Sequence, residues 1–195
     1  YIITNNHVPG TVTVGGTKEW EDNNDQDGIR PNSITVRLYA DGVEIDSATV
    51  TEADGWIFAF DNLPECKNGE TIEYTLKEDR VEGYTNTITG DVTNGFVITN
   101  THEAAEISVS VNKEWEDADN QDGKRPDHVN VQLYADGVAE GNVVYLSSAN
   151  LWKHTWKNLP KNKNGQIITY TVKEAEVEGY TANITGSVEN GFTIT

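Results

Sequence analysis

"TVTVGGTKEW" (residues 11–20) and "ISVSVNKEW" (residues 107–115) are two copies of one strand-like stretch, and each carries a lysine within an apolar alternation. Side chains two positions apart in a β-strand face the same side. The residues that share one face are Val12, Val14, Lys18 and Trp20 in the first copy, and Val109, Val111, Lys113 and Trp115 in the second. Because an unpaired buried charge is costly, a lysine on this face needs a partner or must lose its charge.

The two copies belong to an internal repeat that covers nearly the whole chain. "KEWEDNNDQDGIRPNSITVRLYADGV" from Lys18 aligns with "KEWEDADNQDGKRPDHVNVQLYADGV" from Lys113, and the second copy has one extra residue before Trp152. The strand "NGFVITNTH" near the end of the first copy also matches "YIITNNH" at the start of the chain and "NGFTIT" at its end. The predicted segments are the last strand of a preceding repeat (residues 1–9), a first domain (10–103), and a second domain (104–195) whose last strand stops before its Asn.

Every periodic segment in the chain has the alternation of a β-strand. "SITVRLYADG", "WIFAF", "TIEYTLKE" and "GFVITN" alternate apolar and polar residues and are separated by Asp-Gly, Asn-Gly and Leu-Pro turn signals. About seven short strands in about 95 residues is the count of an immunoglobulin-like sandwich. We predict an all-β protein of two tandem immunoglobulin-like β-sandwich domains, joined at "THEAAE" without a flexible spacer and therefore fairly stiff.

Composition narrows the classes of function. The 195 residues include 32 acidic and 14 basic side chains, for a net charge of -18, which argues against nucleic acid or an anionic membrane as partner. One cysteine, Cys66, cannot form a disulfide within the chain. Because the chain opens on Tyr1 and contains no Met, we expect a fragment of a longer protein, with no membrane insertion of its own.

Two further polar residues fall on inward faces by the same count. Along "TIEYTLKE", Glu78 shares the face of Leu76, and along "GFVITN", Asn100 shares the face of Ile98. The inward polar residues are Lys18, Glu78 and Asn100 in the first domain, and Lys113 and Glu174 in the second. The alternative is that these side chains lie at strand ends and never meet.

Burial changes the reactivity of an inward lysine, glutamate and asparagine that lie together. Desolvation lowers the pKa of a lysine and raises that of a glutamate, so that both can be neutral near pH 7. A neutral amine is a nucleophile, and a protonated Glu can hydrogen-bond the Asn carbonyl and move the proton that lets ammonia leave. Fixed geometry supplies the effective molarity that an amide electrophile needs. The pattern therefore predicts an amide bond between Lys18 and Asn100, promoted by Glu78.

The motifs "KEWED", "LYADG", "VKE…EGY" and "GF.ITN" resemble the Cna B-type repeats of the collagen adhesin of Gram-positive bacteria. The resemblance implies a reverse-immunoglobulin sandwich that serves as a stalk in cell-wall-anchored adhesins and pilins. It also implies a self-generated Lys–Asn isopeptide bond that needs no cofactor, with the catalytic role on Glu78 and, in the second domain, on Glu174.

The second domain departs from the family pattern, because no Asn follows Thr195 in the sequence. Within this chain Lys113 therefore has no partner Asn, which puts a second bond in doubt here. One hypothesis is head-to-tail self-association, in which Asn5 of another molecule approaches Lys113. The alternative is that residues 1–5 fray as an open terminus.

Other sites are less well supported by the residues. The acidic loops at 21–28 and 116–123 have dense oxygen ligands, but the Gly and the distal Glu are misplaced for an EF-hand, so we predict solvated turns. The four histidines lie beside no Cys or second His at metal-ligand spacing, and we assign no metal site.

Two classes of function remain. The first is a structural stalk at the bacterial cell surface, whose partners are neighbouring repeats, while any host matrix ligand is bound by other domains. The second is an adhesive module that binds a host matrix protein or glycan through its loops. The hairpins "VEIDSATVTEADG" and "VAEGNVVYLSSAN" differ between the repeats, which favours the stalk. No catalytic set for an external substrate is present, so we expect no enzyme beyond the single cross-linking turnover.

Overall fold

The computed structural model describes all 195 residues. The chain forms two compact units, one built by residues 1–25 and 29–103, the other by residues 104–195 together with 26–28. Each unit is a β-sandwich, and the helical content is limited to two short 3₁₀ turns at Glu52–Asp54 and Ser148–Asn150. The predicted all-β class with two tandem sandwich domains is confirmed. No helix is long and apolar enough to span a membrane.

The first domain contains two sheets and a small ribbon. Its strands are β1 (Thr11–Glu21), β2 (Ser33–Ala40), β3 (Val43–Thr51), β4 (Ile57–Pro64), β5 (Cys66–Lys67), β6 (Glu70–Thr71), β7 (Tyr74–Glu78), β8 (Thr85–Asp91) and β9 (Gly95–Thr101). One sheet has the order β4-β1-β9-β8 and the other β3-β2-β7, while β5 and β6 pair as a hairpin. The first and last strands, β1 and β9, are neighbours and run parallel, whereas the other pairs are antiparallel.

The second domain repeats this topology. Its strands are β10 (Glu106–Lys113), β11 (His128–Ala135), β12 (Val138–Ser147), β13 (Lys153–Pro160), β14 (Asn162–Lys163), β15 (Gln166–Ile167), β16 (Tyr170–Glu174), β17 (Ile184–Ser187) and β18 (Gly191–Ile194). The sheets have the orders β13-β10-β18-β17 and β12-β11-β16. Strand β18 again pairs in parallel with β10, so the repeat in sequence is a repeat in structure.

The core of each domain lies between the inner faces of its two sheets, as the alternation of apolar residues predicts. Val14 on β1, Val36 on β2 and Ile98 on β9 are completely buried in the first domain. In the second domain Val109, Val131 and Ile194 take the corresponding places. The inward parity read from the sequence is therefore correct for the strands that carry the predicted site.

The extra residue of the second repeat lies in a bulge between β11 and β12. Pairing passes from Val131–Val144 directly to Leu133–Glu140, so a short segment of β12 has no partner of its own. The side-chain amide of Gln132 fills the gap by donating to the carbonyl oxygen of Glu140 at 2.8 Å. In the first domain the corresponding irregularity is one residue smaller, since Leu38 pairs with Asp46 and Tyr39 with Glu44.

Residues 1–10 form no strand, and their side chains are exposed. The prediction that residues 1–9 are the last strand of a preceding repeat concerns a domain outside this sequence. It stays a prediction.

Candidate cross-link site

Lys18 lies on the inner face of β1, and its side chain has no solvent exposure. Its Nζ donates to the carbonyl oxygen of Glu19 at 2.6 Å and to that of Ile98 at 3.4 Å. It also lies 4.0 Å from the centre of the Trp20 ring. Burial lowers the pKa of Lys18 to about 8, and the nearby carboxylate of Glu78 opposes this shift only in part. The amine is thus easier to deprotonate than a surface lysine.

Glu78 ends β7, and its carboxyl group is held from two sides. Its side chain is 1% exposed. Oε1 lies 3.9 Å from Lys18 Nζ and accepts a hydrogen bond from Asn100 Nδ2 at 3.2 Å. Oε2 accepts a hydrogen bond from Asn86 Nδ2 at 3.1 Å. Burial raises the pKa of Glu78, while Lys18 and the two amides oppose the rise.

Asn100 completes the set from β9, where it is fully buried. In the parallel register Lys18 is opposite Ile98 and Trp20 is opposite Asn100, so the amide lies one inward position beyond the lysine. Asn100 Oδ1 is buried and has no hydrogen-bond partner. An unpaired buried acceptor costs free energy, and it is a place where a proton donor would be stabilising. The structure therefore brings together the three residues that the sequence predicted.

This geometry suits transfer of a proton from the Lys18 amine to the Asn100 amide nitrogen through one carboxyl oxygen of Glu78. Glu78 Oε1 lies 3.9 Å from the attacking amine and 3.2 Å from the amide nitrogen that would leave. Neutral Lys18 Nζ can add to the side-chain carbonyl carbon of Asn100, and Glu78 can pass the proton lost by the amine to Nδ2. One C–N bond forms, another breaks, and ammonia leaves.

The second domain has the same lysine and glutamate. Lys113 Nζ lies 3.4 Å from Glu174 Oε1, and both side chains are 3% exposed. Lys113 also lies over the Trp115 ring, 4.4 Å from its centre. Burial raises the pKa of Glu174, and Lys113 opposes the rise. Asn5 lies in the exposed segment 1–10, and its reaction with Lys113 of another molecule stays a prediction.

Sequence reasoning missed an ion pair beside each site. Arg30 donates Nε to Asp22 Oδ2 at 2.9 Å and Nη2 to Oδ1 at 2.6 Å, and the Tyr84 hydroxyl donates to Oδ2 at 2.9 Å. Burial by itself raises the pKa of Asp22, but these bonds lower it to about 2. Asp117, Arg125 and Tyr180 make the same arrangement in the second domain.

These pairs change the interpretation of the acidic loops. Asp22 is only 2% exposed, so the prediction of a solvated turn is wrong for this carboxylate of its loop. No group of three or more His, Cys, Asp or Glu side chains is placed to hold a metal ion. A signal was present in the sequence, since both repeats have an Arg at the same distance after this Asp.

Sequence reasoning also missed Asn86. This residue is paired with Asn100 across β8 and β9, and its amide is the second donor to Glu78. The signal was its parity with Ile88, which packs against the core. In the second repeat the aligned residue is Ala182.

The sequence and the fold have known relatives. The model of the Cna protein B-type domain matches residues 14–101 and 109–195. A collagen adhesin of Staphylococcus aureus is 42% identical over 184 residues, which are 94% of this chain and 15% of the adhesin. The chain therefore spans a small part of that relative's length.

Two solved structures are also similar. The crystal structure of a single B repeat unit of the collagen-binding surface protein of Staphylococcus aureus is 39% identical, with 95% of this chain and 98% of that chain covered and a TM-score of 0.45. A structure of two B repeat units of that protein is likewise 39% identical, with 95% and 49% covered and a TM-score of 0.45. From the two matches to the family model and the identity to the adhesin, this chain belongs to the Cna protein B-type domain family.

Proposed function

We propose that this chain is a pair of stalk repeats of a cell-wall-anchored surface protein of a Gram-positive bacterium, stabilised by a self-generated isopeptide bond. The observation that carries the proposal is the meeting of Lys18, Glu78 and Asn100 in the core of the first domain. The similarity to a collagen adhesin supports the surface location. Binding of a host ligand then belongs to other parts of the parent protein.

The position of the proposed bond fits a load-bearing role. Lys18 is on the first strand of its domain and Asn100 on the last, and these strands are parallel neighbours. A bond between them joins the points where the chain enters and leaves the sandwich. Pulling on the two ends would load this bond, and the strands between Lys18 and Asn100 would carry no force.

The proposed reaction occurs once, in the first domain, and consumes two of that domain's own side chains. Lys18 is the nucleophile, Asn100 the electrophile and Glu78 the proton carrier. Glu78 is regenerated, but the lysine and the asparagine are not, so the domain has no turnover on an external substrate. The buried surroundings keep water from competing with the amine.

Intact-mass measurement of the purified chain tests the proposal. We expect the mass of the sequence less one ammonia, and tandem mass spectrometry should locate the bond between Lys18 and Asn100. Glu78→Ala should restore the full sequence mass with both partner residues still present. Glu174→Ala is the matched control and should leave the ammonia loss unchanged. A wild-type chain with the full sequence mass would overturn the proposal.

A further inference from the structure

The carboxyl group of Glu78 has a different neighbour on each oxygen. Oε1 is the oxygen nearest Lys18, at 3.9 Å from Nζ, and it accepts from Asn100 at 3.2 Å. Oε2 accepts from Asn86 at 3.1 Å. Asn86 lies directly opposite Asn100 in the β8–β9 register, so both amides reach the carboxyl group from adjacent strands. One oxygen thus faces the reacting pair, and the other is held by a residue that takes no part in the bond.

The type of hydrogen bond on Oε2 decides where an acid proton can sit. An amide NH₂ group is a donor only. An oxygen that accepts from it keeps a lone pair in that direction, and a proton there would lose the hydrogen bond. Oε1 also accepts from an amide, but the buried Oδ1 of Asn100 has no partner and can accept a hydrogen bond from a proton on Oε1 when that amide turns over. When Glu78 is protonated, the proton is therefore favoured on Oε1, beside the amine and the amide that must exchange it. We propose that Asn86 is a positioning residue that fixes the Glu78 carboxyl group and keeps its proton on Oε1.

The surroundings of Oε2 show why such a residue matters. A cavity of about 190 Å³ is lined by Glu78, Arg80, Val81, Tyr84, Asn86 and Asn100. Asn86 itself is exposed, so it stands between the carboxyl group and solvent. Without its donor, Oε2 could take the proton or bond to water in the cavity. Besides Lys18 on β1, the titratable groups facing Glu78 are Arg80 and Tyr84 on the segment before β8.

The second domain provides a natural contrast. The residue aligned with Asn86 is Ala182, which has no donor, and Glu174 Oε1 faces Lys113 Nζ at 3.4 Å without a hydrogen bond from an amide. A glutamate with a lysine but no fixed proton position is a poorer proton carrier by this reasoning. The inference rests on the proposed cross-linking function, which it refines by adding a fourth residue.

The experiment compares rates of ammonia loss in the whole chain. Unreacted chain is collected in denaturant after a short pulse of cell-free synthesis, refolded by dilution, and followed by intact mass over time. Asn86→Asp keeps the shape of the side chain but replaces the donor by an acceptor. We expect it to react about tenfold more slowly near pH 7, the effect of losing one hydrogen bond to a charged or reacting group. Thr87→Ala, on the same strand, should react at the wild-type rate.

The pH profile separates positioning from a merely structural role. Asn86 favours the charged form of Glu78, so Asn86→Ala should raise the pKa of Glu78 and move the acid side of the rate profile to higher pH. Asn86→Ser, whose hydroxyl can donate, should recover part of the rate. Unchanged rates, or slowing by the same factor at every pH, would overturn the inference while leaving the cross-link in place. A wild-type chain that loses no ammonia would instead overturn the proposed function.

Discussion

The two domains contain the same buried lysine–glutamate pair in different surroundings. In the first, the carboxyl group of Glu78 accepts from two amides, and its Oε1 lies 3.9 Å from Lys18 Nζ. In the second, no amide reaches Glu174, and the distance to Lys113 is 3.4 Å. Where amides share the carboxylate, the lysine approaches it less closely. The contrast is between a carboxyl group held by two amides and one that, within these 195 residues, meets the lysine alone.

The largest expected effect comes from removing the proposed bond. Glu78→Gln should prevent the bond, whereas Glu174→Gln removes the same carboxylate from a pair that has no asparagine beside it within these 195 residues. Because the bond would close a loop from the first to the last strand, Glu78→Gln should lower the free energy of unfolding by about 4 kcal/mol more than Glu174→Gln. Hydrogen exchange resolved by domain, in increasing denaturant, measures both values. Equal losses in the two domains would mean that no covalent bond contributes to stability.

A smaller loss of stability tests whether Lys113 and Glu174 act as an ion pair in the second domain. Glu174→Gln leaves the ammonium of Lys113 buried without a counter-ion and should destabilise this domain by about 3 kcal/mol. Adding Lys113→Met removes the unpaired charge, so the double variant should recover most of that loss. Denaturant midpoints of the three chains give the comparison.

The corresponding double change in the first domain is the control. Lys18→Met with Glu78→Gln removes both charges, but it also removes the proposed bond. The double variant should therefore stay less stable than wild type by the free energy that the loop-closing bond contributes, about 4 kcal/mol. Full recovery in the first domain would contradict the cross-link, and no recovery in the second would contradict the ion-pair interpretation.

The third prediction concerns the aspartates that bind arginine beside each site. The side chain of Asp22 is 1% exposed and that of Asp117 is 10% exposed. Asp22→Asn should cost about 2 kcal/mol through weakened hydrogen bonds to Arg30. Asp117→Asn should cost less, because the carboxyl group of Asp117 is itself better solvated. Thermal unfolding of the two variants at neutral pH checks the order.

The same aspartate gives a pH dependence with a definite sign. The folded-state pKa of Asp22 is about 2, below its usual value of 3.8, so its contribution is complete above pH 4 and is lost as pH falls toward 2. The stability difference between wild type and Asp22→Asn should therefore shrink over that window. A difference that is constant from pH 5 to about pH 2 would contradict the shift.

Strand parity predicted the inward direction of the three side chains because the strands that carry them are regular. Lys18, Glu78 and Asn100 each follow a clear alternation of apolar residues, so their inward direction could be counted. Asn86 was not found in this way, because "TNTITG" has threonine at every position of one face and Ile88 as the one large apolar side chain of the other, so neither face is clearly apolar.

The arginine pairs could not be predicted by counting either. Asp22 lies just after β1 and Arg30 lies in the loop before β2. A loop has no side-chain period, and this one passes through left-handed residues at Asn23, Asn24 and Asp25. Which of its many carboxylates meets the arginine depends on that path. The repeat itself carried the only usable signal, since Asp and Arg recur together in both copies.

The smallest expected effect comes from a turn position at which the first domain has glycine and the second has leucine. Leu151 has a φ of 57°, and Gly55 has a φ of 65° at the same place in the first domain. This left-handed conformation is strained for leucine but not for glycine. Leu151 is 76% exposed, so little packing is lost on truncation. Leu151→Gly should therefore stabilise the second domain by about 0.5 to 1 kcal/mol, after the greater freedom of glycine in the unfolded chain is included.

The reverse change in the first domain is the matched test of that turn. A Cβ at Gly55 would have only Ile57 Cδ1 nearby, at 3.9 Å, so crowding does not contribute and Gly55→Leu should report backbone strain alone. It should destabilise the first domain by an amount similar to the gain from Leu151→Gly. Calorimetric unfolding temperatures of the two variants measure these opposite shifts. If both changes shifted stability in the same direction, left-handed backbone strain would not explain the difference between leucine and glycine at this turn.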